Sequence, residues 1–410
     1  MTDPSGPRPG TARAALQSRP FRLMFTGSFM SNVGTWMQNV VLPAYIYNRT
    51  ERASLVGLLI FAQLGPLLVL SIPAGVIADK FDRRRWLITT QCVQLFFSFM
   101  LFPLAANDAA IWLLFLMQLG VGIGNALNAP AWSAALPTLV PPENLSGAIA
   151  LNSTVINGSR VIGPIIVAIL SAWGVTSAQF FLLNALTYLF VIIALLRVRL
   201  PYLAPVAGEP GWRQFTTGLK IAKSRPVISR LLLSLATFSF LSLPYVGLFP
   251  AVARLNFGID ETGATYKWLY ATWGLGAALG GLAIGTVLVD VDKRTLVRRG
   301  FAAFSVFLAL FAVMRSPAPA FAVGFFLGIA YFGTTTSMMT IIQSRLAPNE
   351  RGRVMALWFM AFGGTVPLGN LVFGPVIDAV GARWVLLGGA VWAAFLSWWC
   401  NIERLDTRDA

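Results

Sequence analysis

The chain contains no histidine and only two cysteines in 410 residues. The first absence removes histidine proton relays and histidine-ligated metals together. The second leaves neither a disulfide framework nor a thiolate metal site, because Cys92 and Cys400 each sit inside an apolar run. Acids are scarce too: 16 Asp and Glu stand against 31 Lys and Arg, and charged residues make up 11% of the chain. A soluble domain carries about 25%. No glycine loop followed by Lys-Ser/Thr is present to cradle the phosphates of a nucleotide. Nothing is left from which to build a catalytic centre, and the expectation is a protein that is not an enzyme and uses no metal or cofactor.

What is present is apolar. Hydrophobic residues make up 56% and the mean hydropathy is +0.70, which places the chain in a lipid bilayer. The net charge of +15 does not point to nucleic acid, since the bases fall in loops between apolar runs and the aromatics fall within them. Residues 1–20 form a Pro/Gly/Arg-bearing tail expected to be disordered and cytoplasmic, without the short apolar region of a cleavable signal. Apolar runs follow at roughly 21–48, 53–79, 86–106, 110–137, 145–172 and 176–197. After a polar interval they resume at roughly 227–254, 264–289, 296–315, 318–345, 353–378 and 383–402. Each has about the 20 residues needed to cross the hydrocarbon. The prediction is an all-α membrane protein with twelve transmembrane helices in two six-helix bundles, 21–197 and 226–402. Residues 198–225 join them and 403–410 form a second cytoplasmic tail. In the joining segment Trp212, Phe215, Leu219 and Ala222 recur at helical spacing among Arg213, Lys220 and Lys223, the pattern of an interfacial amphipathic helix.

Charge supports this topology independently. An even number of spans puts both termini on one side, and bases there outnumber those opposite about four to one. The opposite side holds only Arg49, Arg52, Arg254, Lys267, Arg315 and Arg383. That excess assigns both termini to the cytoplasm.

The halves also resemble each other. Leu139-Val140-Pro141-Pro142-Glu143 matches Leu346-Ala347-Pro348-Asn349-Glu350, and Gly163-Pro164 matches Gly374-Pro375. Gly75 with Asp82-Arg83-Arg84 matches Gly285 with Asp292-Lys293-Arg294. Parallel repeats of six helices are a transporter architecture, with substrate held near the midplane between them. The densest charge in the chain lies in one of the repeated turns, where Gly75-x-x-x-Asp79-Lys80-x-x-Arg83-Arg84 joins the second and third runs. Small residues there let helices approach, and Asp79 suits the positive end of a facing helix.

With that turn in place the chain resembles the major facilitator superfamily. Within it, Ser31-Asn32-Val33-Gly34-Thr35-Trp36-Met37-Gln38, Ala129-Pro130-Ala131-Trp132-Ser133-Ala134-Ala135-Leu136-Pro137 and Arg351-Gly352-Arg353-Val354-Met355 resemble the bacterial enterobactin-exporter-like and macrolide or multidrug efflux branch. The resemblance covers roughly residues 20–400 and implies a multi-pass protein of the bacterial inner membrane that works by alternating access. It implies that Gly75, Asp79, Arg83 and Arg84 serve the conformational switch. Gly158 with Gly163-Pro164 resembles part of the antiporter motif of the fifth span. Its trailing glycines are replaced by Ile166, Val167 and Ala168, so the motif itself does not establish antiport. Gly158, Gly163, Pro164, Gly374 and Pro375 are read as helix-packing positions.

One ion lies deep in a span. Arg160 is about 21 Å along the fifth run, on one face with Ser153, Asn157 and Pro164. It is expected either to face a cavity or to lock its helix to a neighbour. The remaining intramembrane polar groups are neutral. Asn32, Thr35, Trp36 and Asn39 share a face of the first span, Gln118, Asn125 and Asn128 one of the fourth, and Tyr331, Thr334 and Thr335 one of the tenth. The resemblance adds Tyr245 of the seventh, because those four spans line the family's cavity. With no deep carboxylate, such a lining suits bulky amphipathic solutes that are neutral or weakly anionic, of the drug or siderophore type. Proton coupling then falls to acids near span ends, Asp79, Asp290 or Asp378. The reading is export driven by the proton motive force, by a monomer. Facilitated diffusion and lipid transport on the same fold are the alternatives.

Overall fold

The computed structural model describes residues 8–78, 81–200 and 211–402. Among them there is no strand. A short α1 (Ala12–Ala15) precedes α2 (Arg19–Thr50), α3 (Ala53–Ala78), α4 (Arg83–Ala106), α5 (Ile111–Ala135), α6 (Leu145–Ala172) and α7 (Ser177–Arg197). Then come α8 (Gly211–Ser224), α9 (Pro226–Leu241), α10 (Pro244–Gly247), α11 (Phe249–Phe257), α12 (Ala264–Gly285), α13 (Lys293–Val313) and α14 (Pro317–Ser344). Last are α15 (Pro348–Phe359), α16 (Thr365–Val380) and α17 (Ala382–Trp399). Eight segments among the described residues are long and apolar enough to cross a membrane by length and composition. The helices α2, α9–α11, α12 and α17 occupy the remaining places of the predicted series.

Two of the predicted spans are interrupted. Pro244 and Pro250, which lack an N–H to donate, fall where the seventh run breaks into α9, α10 and α11. In the eleventh, a π-helical turn at Met360–Gly364 separates α15 from α16. A hydrophobic run reports the length of a span but not its breaks.

The sequence repeat produces the same local structure twice. Asp82 caps α4, its carboxylate accepting from the Arg85 amide at 2.8 Å, and Asp292 caps α13 by accepting from the Arg294 amide at 3.0 Å. Their backbones agree closely, with φ/ψ of −55°/117° and −55°/120°. A short acid preceding two cations satisfies orphan N–H groups at a helix start. α7 begins with a different device, a capping box between Thr176 and Gln179.

The chain divides into two compact units. The first comprises Met1–Val41 and Val69–Gly211, and the second Leu42–Leu68 and Trp212–Ala410. The boundary therefore passes through α2 and α3, and the hairpin they form packs with the helices of the second repeat. In the first unit a polar network holds four helices together. The Gln38 side chain donates to Gln118 Oε1 at 3.0 Å and accepts from Ser98 at 2.8 Å and from Asn184 at 2.7 Å. All four residues are buried. In the second unit α12 and α14 lie in close contact because Gly276, Gly280 and Gly328 carry no side chain. A Cβ at any of the three would collide with the backbone of Phe325, Ile329 or Trp273 respectively.

The disorder expected for residues 1–20 does not extend to their described part. Ala14 and Ala15 are buried, the Gly10 amide donates to Asn144 at 3.0 Å, and the Ser18 hydroxyl donates to the Leu139 carbonyl at 2.6 Å. Composition suggested a solvated tail, yet small residues fit against α6, where Gly147 leaves room for the backbone of Thr11. In the joining segment α8 occupies Gly211–Ser224, and Gly218 lies against the backbone of Arg353. Trp212, Arg213 and Phe215, on which the amphipathic reading also rested, have side chains outside the described set, as do residues 201–210 and 403–410.

Candidate functional site

The deep cation of the first unit is placed by a glycine. A Cβ at Gly163 would lie 2.6 Å from the Cβ of Trp36 and 3.0 Å from the Val33 carbonyl, so the bare backbone of α6 rests directly on α2. One turn earlier on α6, Arg160 reaches across that contact. Its guanidinium carbon stands 5.0 Å from the centre of the Trp36 ring. Such a pair gains from about 0.5 kcal/mol at exposed sites to about 2 kcal/mol when desolvated. Both residues are half-buried.

Neutral amides flank this pair. One turn before Trp36, Asn32 donates to the Ser28 carbonyl at 2.8 Å. One turn before Arg160, the exposed Asn157 donates to the Ser153 carbonyl at 2.9 Å. Each amide satisfies its donor on its own helix and keeps its oxygen as an acceptor. Asn39 is half-buried and Asn125 exposed. A polar side chain exposed along an apolar span is costly against lipid and inexpensive against water or solute. Trp36, Arg160 and Asn157 thus form a surface that offers one cation, one aromatic face and amide groups.

The other expected cavity residues are placed differently. Gln118 is 1% exposed and belongs to the network with Gln38. Asn128 accepts from Thr90 at 3.0 Å and tethers α5 to α4. Tyr245, 1% exposed, accepts from the Trp273 indole at 3.1 Å. Thr334 and Thr335 are buried and bond back to the Ala330 and Tyr331 carbonyls of their own helix. Tyr331 is buried, its ring stacked 6.1 Å from Trp273 and 6.3 Å from Phe362. Gln118, Tyr245, Tyr331, Thr334 and Thr335, expected to line a cavity, are thus buried in the helical packing of this structure. A shared polar face shows that a helix side is special, but another helix can cover that side as well as a solute can.

The two arginines of the turn expected to serve as a switch bond within the first unit. Arg84 donates to the Leu195 and Leu196 carbonyls at 2.7 and 2.6 Å, satisfying orphan acceptors at the C-terminus of α7. Arg83 donates to the Ala134 carbonyl at 3.3 Å near the end of α5. Gly75 lies in the last turn of α3, and Asp79 falls outside the described residues. Gly158 meets only Phe29, at 3.7 Å, so it is not a close-packing position, whereas Gly374 meets the Ala53 carbonyl at 2.7 Å. Pro164 is buried and Pro375 exposed.

Sequence reasoning missed one polar network, and it named Asp378 as an acid near a span end without finding its partners. Gln38, Ser98 and Asn184 form the buried network without sharing a stripe on one helix, so periodicity cannot assemble them. On α16 the exposed Asp378 accepts from the Ala53 amide at 2.6 Å and the Ser54 amide at 2.9 Å. Beside it, Asn48 donates to the buried Glu261 at 3.3 Å. Their only sequence signal was position at span ends. No group of His, Cys, Asp and Glu suited to a metal ion occurs among the described residues.

Comparison with known proteins agrees with this architecture. The chain is 26% identical to the enterobactin exporter EntS of Salmonella choleraesuis (strain SC-B67) over 351 residues, covering 84% of this chain and 82% of that protein. The same figures hold for EntS of Shigella boydii serotype 4 (strain Sb227). Among solved structures, a mutant of the nucleoside transporter NupG superposes with a TM-score of 0.74 at 14% identity, covering 93% of this chain and 99% of that one. A bacterial homologue of the human lysosomal transporter Spinster, inward-facing and unoccupied, superposes with a TM-score of 0.70 at 16% identity, covering 96% and 99%. The family model described as transmembrane secretion effector, MFS_3, matches residues 10–410, and the chain belongs to that family, as a membrane transporter of the major facilitator superfamily.

Proposed function

We propose that this protein exports bulky amphipathic small molecules, neutral or weakly anionic, across the bacterial inner membrane by alternating access driven by the proton motive force. The observation that carries the substrate class is the Arg160 guanidinium over the Trp36 ring, flanked by the amides of Asn32 and Asn157. A solute with an aromatic or apolar body and a partial negative charge meets a complement to each part there. An organic cation meets the Arg160 guanidinium as like charge, with no carboxylate in this set to offset it. Asn39 and Asn125 join this set, with Gln118 and Asn128 held in the helical packing of the same unit. The enterobactin exporters, which are similar over most of the chain, are named for a siderophore, and this favours export over uptake.

The cation excess on the side of the termini supports a cytoplasmic location for both. Gly75, Asp79, Arg83 and Arg84 act in the conformational switch, Asp79 being the group whose loss stops the cycle. The working unit is a monomer. Uptake into inside-out vesicles, with an inside-acid pH gradient and a membrane potential imposed separately, tests the whole reading. Uphill accumulation of a labelled amphipathic compound under the pH gradient, absent in Asp79→Asn, is the expected result. Equilibration in both directions under neither gradient would make the protein a facilitator. Arg160→Lys keeps the charge and loses the planar stacking, so normal transport with an unchanged substrate range would remove Arg160 from recognition.

A further inference from the structure

The tripeptide Ser-Arg-Pro opens both halves of the chain, as Ser18-Arg19-Pro20 at the start of α2 and Ser224-Arg225-Pro226 at the start of α9. A residue before proline is pushed to extended backbone, and Arg225 has φ/ψ of −121°/99°. The copies then diverge. In the first, Arg19 is exposed and the Ser18 hydroxyl ties the chain to the Leu139 carbonyl at 2.6 Å. In the second, the Ser224 hydroxyl donates to the Ile221 carbonyl of its own helix at 2.9 Å. The half-buried Arg225 takes over the tie, its guanidinium donating to the Arg345 carbonyl at 2.7 Å and to Glu350 at 2.9 Å. A hydroxyl has a single donor, which such a link uses up. A guanidinium carries several, so Arg225 keeps donors to offer elsewhere.

Arg225 and Arg345 line a half-open cavity of about 300 Å³ in the second unit, with Ser224 and the first turn of α9 at Pro226, Val227 and Ile228 as its other walls. That volume lies at the lower end of ligand clefts, about 300–1,000 Å³. The lining holds two cations and no carboxylate. Glu350, the acid paired with Arg225, accepts from the Ala347 amide at 3.1 Å through its second oxygen, so both of its oxygens are engaged. Neither cation is required by the fold of the repeat. Arg19 of the first half stays exposed, and Arg345 stands where that half has Thr138, since Leu346 matches Leu139. A concave surface that gathers guanidinium groups where its own repeat manages without them suits an anion with several oxygens. By the charge topology this end faces the cytoplasm. It lies where α9 enters the bilayer, at the level of the lipid headgroups, and the exposed Lys220 and Lys223 of α8 add to the positive field.

We propose that this cavity is a binding site for a phosphate group, held by Arg225 and Arg345, for which the headgroup of an acidic phospholipid in the cytoplasmic leaflet is the ready source. The site is separate from the Arg160–Trp36 surface and does not depend on what the protein exports.

Native mass spectrometry of the full-length protein in detergent, titrated with short-chain phosphatidylglycerol or phosphatidylcholine, tests it. The first phosphatidylglycerol is expected to bind about tenfold more tightly than phosphatidylcholine, whose choline cation the arginines repel. Arg345→Gln removes one cation and leaves the Arg225–Glu350 pair. Arg225→Lys keeps the charge and loses the planar fork. Each is expected to abolish most of the preference, whereas Lys223→Gln, which removes a charge outside the cavity, is expected to leave it. Inorganic phosphate is then added as competitor. Release of the lipid shows a site that a soluble phosphate can also fill, and retention shows one that needs the whole lipid; either supports the phosphate site. A preference that survives both arginine variants, or that falls as far in Lys223→Gln, is diffuse attraction to a basic surface and overturns the proposal. So does the absence of both a phosphatidylglycerol preference and phosphate binding. No transport is measured, so failure of the export reading leaves this result intact.

Discussion

Two glycines five residues apart on α6 lead to opposite expectations, and replacing each by alanine tests how the deep site is built. At Gly163 the added methyl would stand 2.6 Å from the Trp36 Cβ, 3.0 Å from the Val33 carbonyl and 3.1 Å from the Met37 amide. Two of those three neighbours are backbone atoms, so no rotamer change relieves the overlap. α6 must move away from α2 by several tenths of an ångström. Overpacking of this kind costs about 1–3 kcal/mol, and the helix propensity gained from glycine to alanine returns at most about 1 kcal/mol. At Gly158 the methyl would meet only the Phe29 ring edge, at an ordinary 3.7 Å. There the propensity gain acts unopposed. Thermal unfolding in detergent, followed by loss of the monodisperse peak, measures both. With a net cost of about 1–2 kcal/mol, Gly163→Ala is expected to lower the midpoint by roughly 2–8 °C, taking about 2–4 °C per kcal/mol for a unit of 150–250 residues. Gly158→Ala is expected to leave it unchanged or raise it slightly. Moving α6 also draws Arg160 off the Trp36 ring, so transport by Gly163→Ala falls more than its stability does. Equal midpoints for the two variants, or a loss confined to Gly158→Ala, would refute the packing argument.

Three further substitutions address other elements. Asn184→Ala removes two of the hydrogen bonds that converge on Gln38 and Ser98; a stability loss of about 1–2 kcal/mol is expected in thermal unfolding, and replacing Gln38 as well should add less than the sum of the single losses. Asp82→Ala and Asp292→Ala each delete a helix cap, on the third and the second helical amide respectively, and each should cost about 1 kcal/mol, read as a fall in unfolding midpoint. Arg84→Ala leaves the carbonyls of Leu195 and Leu196 without their donor and should speed amide hydrogen exchange at the C-terminal turn of α7 relative to the rest of that helix.

The sequence determined the membrane class, the helical fold and the repeat. Each depends on quantities that a linear chain carries: run length against bilayer thickness, charge between runs, and short motifs whose partners lie within a turn. The caps at Asp82 and Asp292 are of this kind, since an acid before two cations needs only its own helix to act. Arg160 was legible as an ion that needs a partner, because a guanidinium in hydrocarbon is costly wherever the fold puts it. Only the tertiary structure decided which partner it took, and the Trp36 ring is available because Gly163 lets two helices touch. The same holds for the polar faces. Polar residues at helical spacing ended as exposed surface at Asn125 and Asn157 but as interior packing at Gln118 and Thr334. Helical periodicity fixes the direction in which a side chain points, whereas the neighbour in that direction is set by residues far away in the chain. Asp378 and the first amides of α3 are more than 300 positions apart, and no local pattern could have joined them.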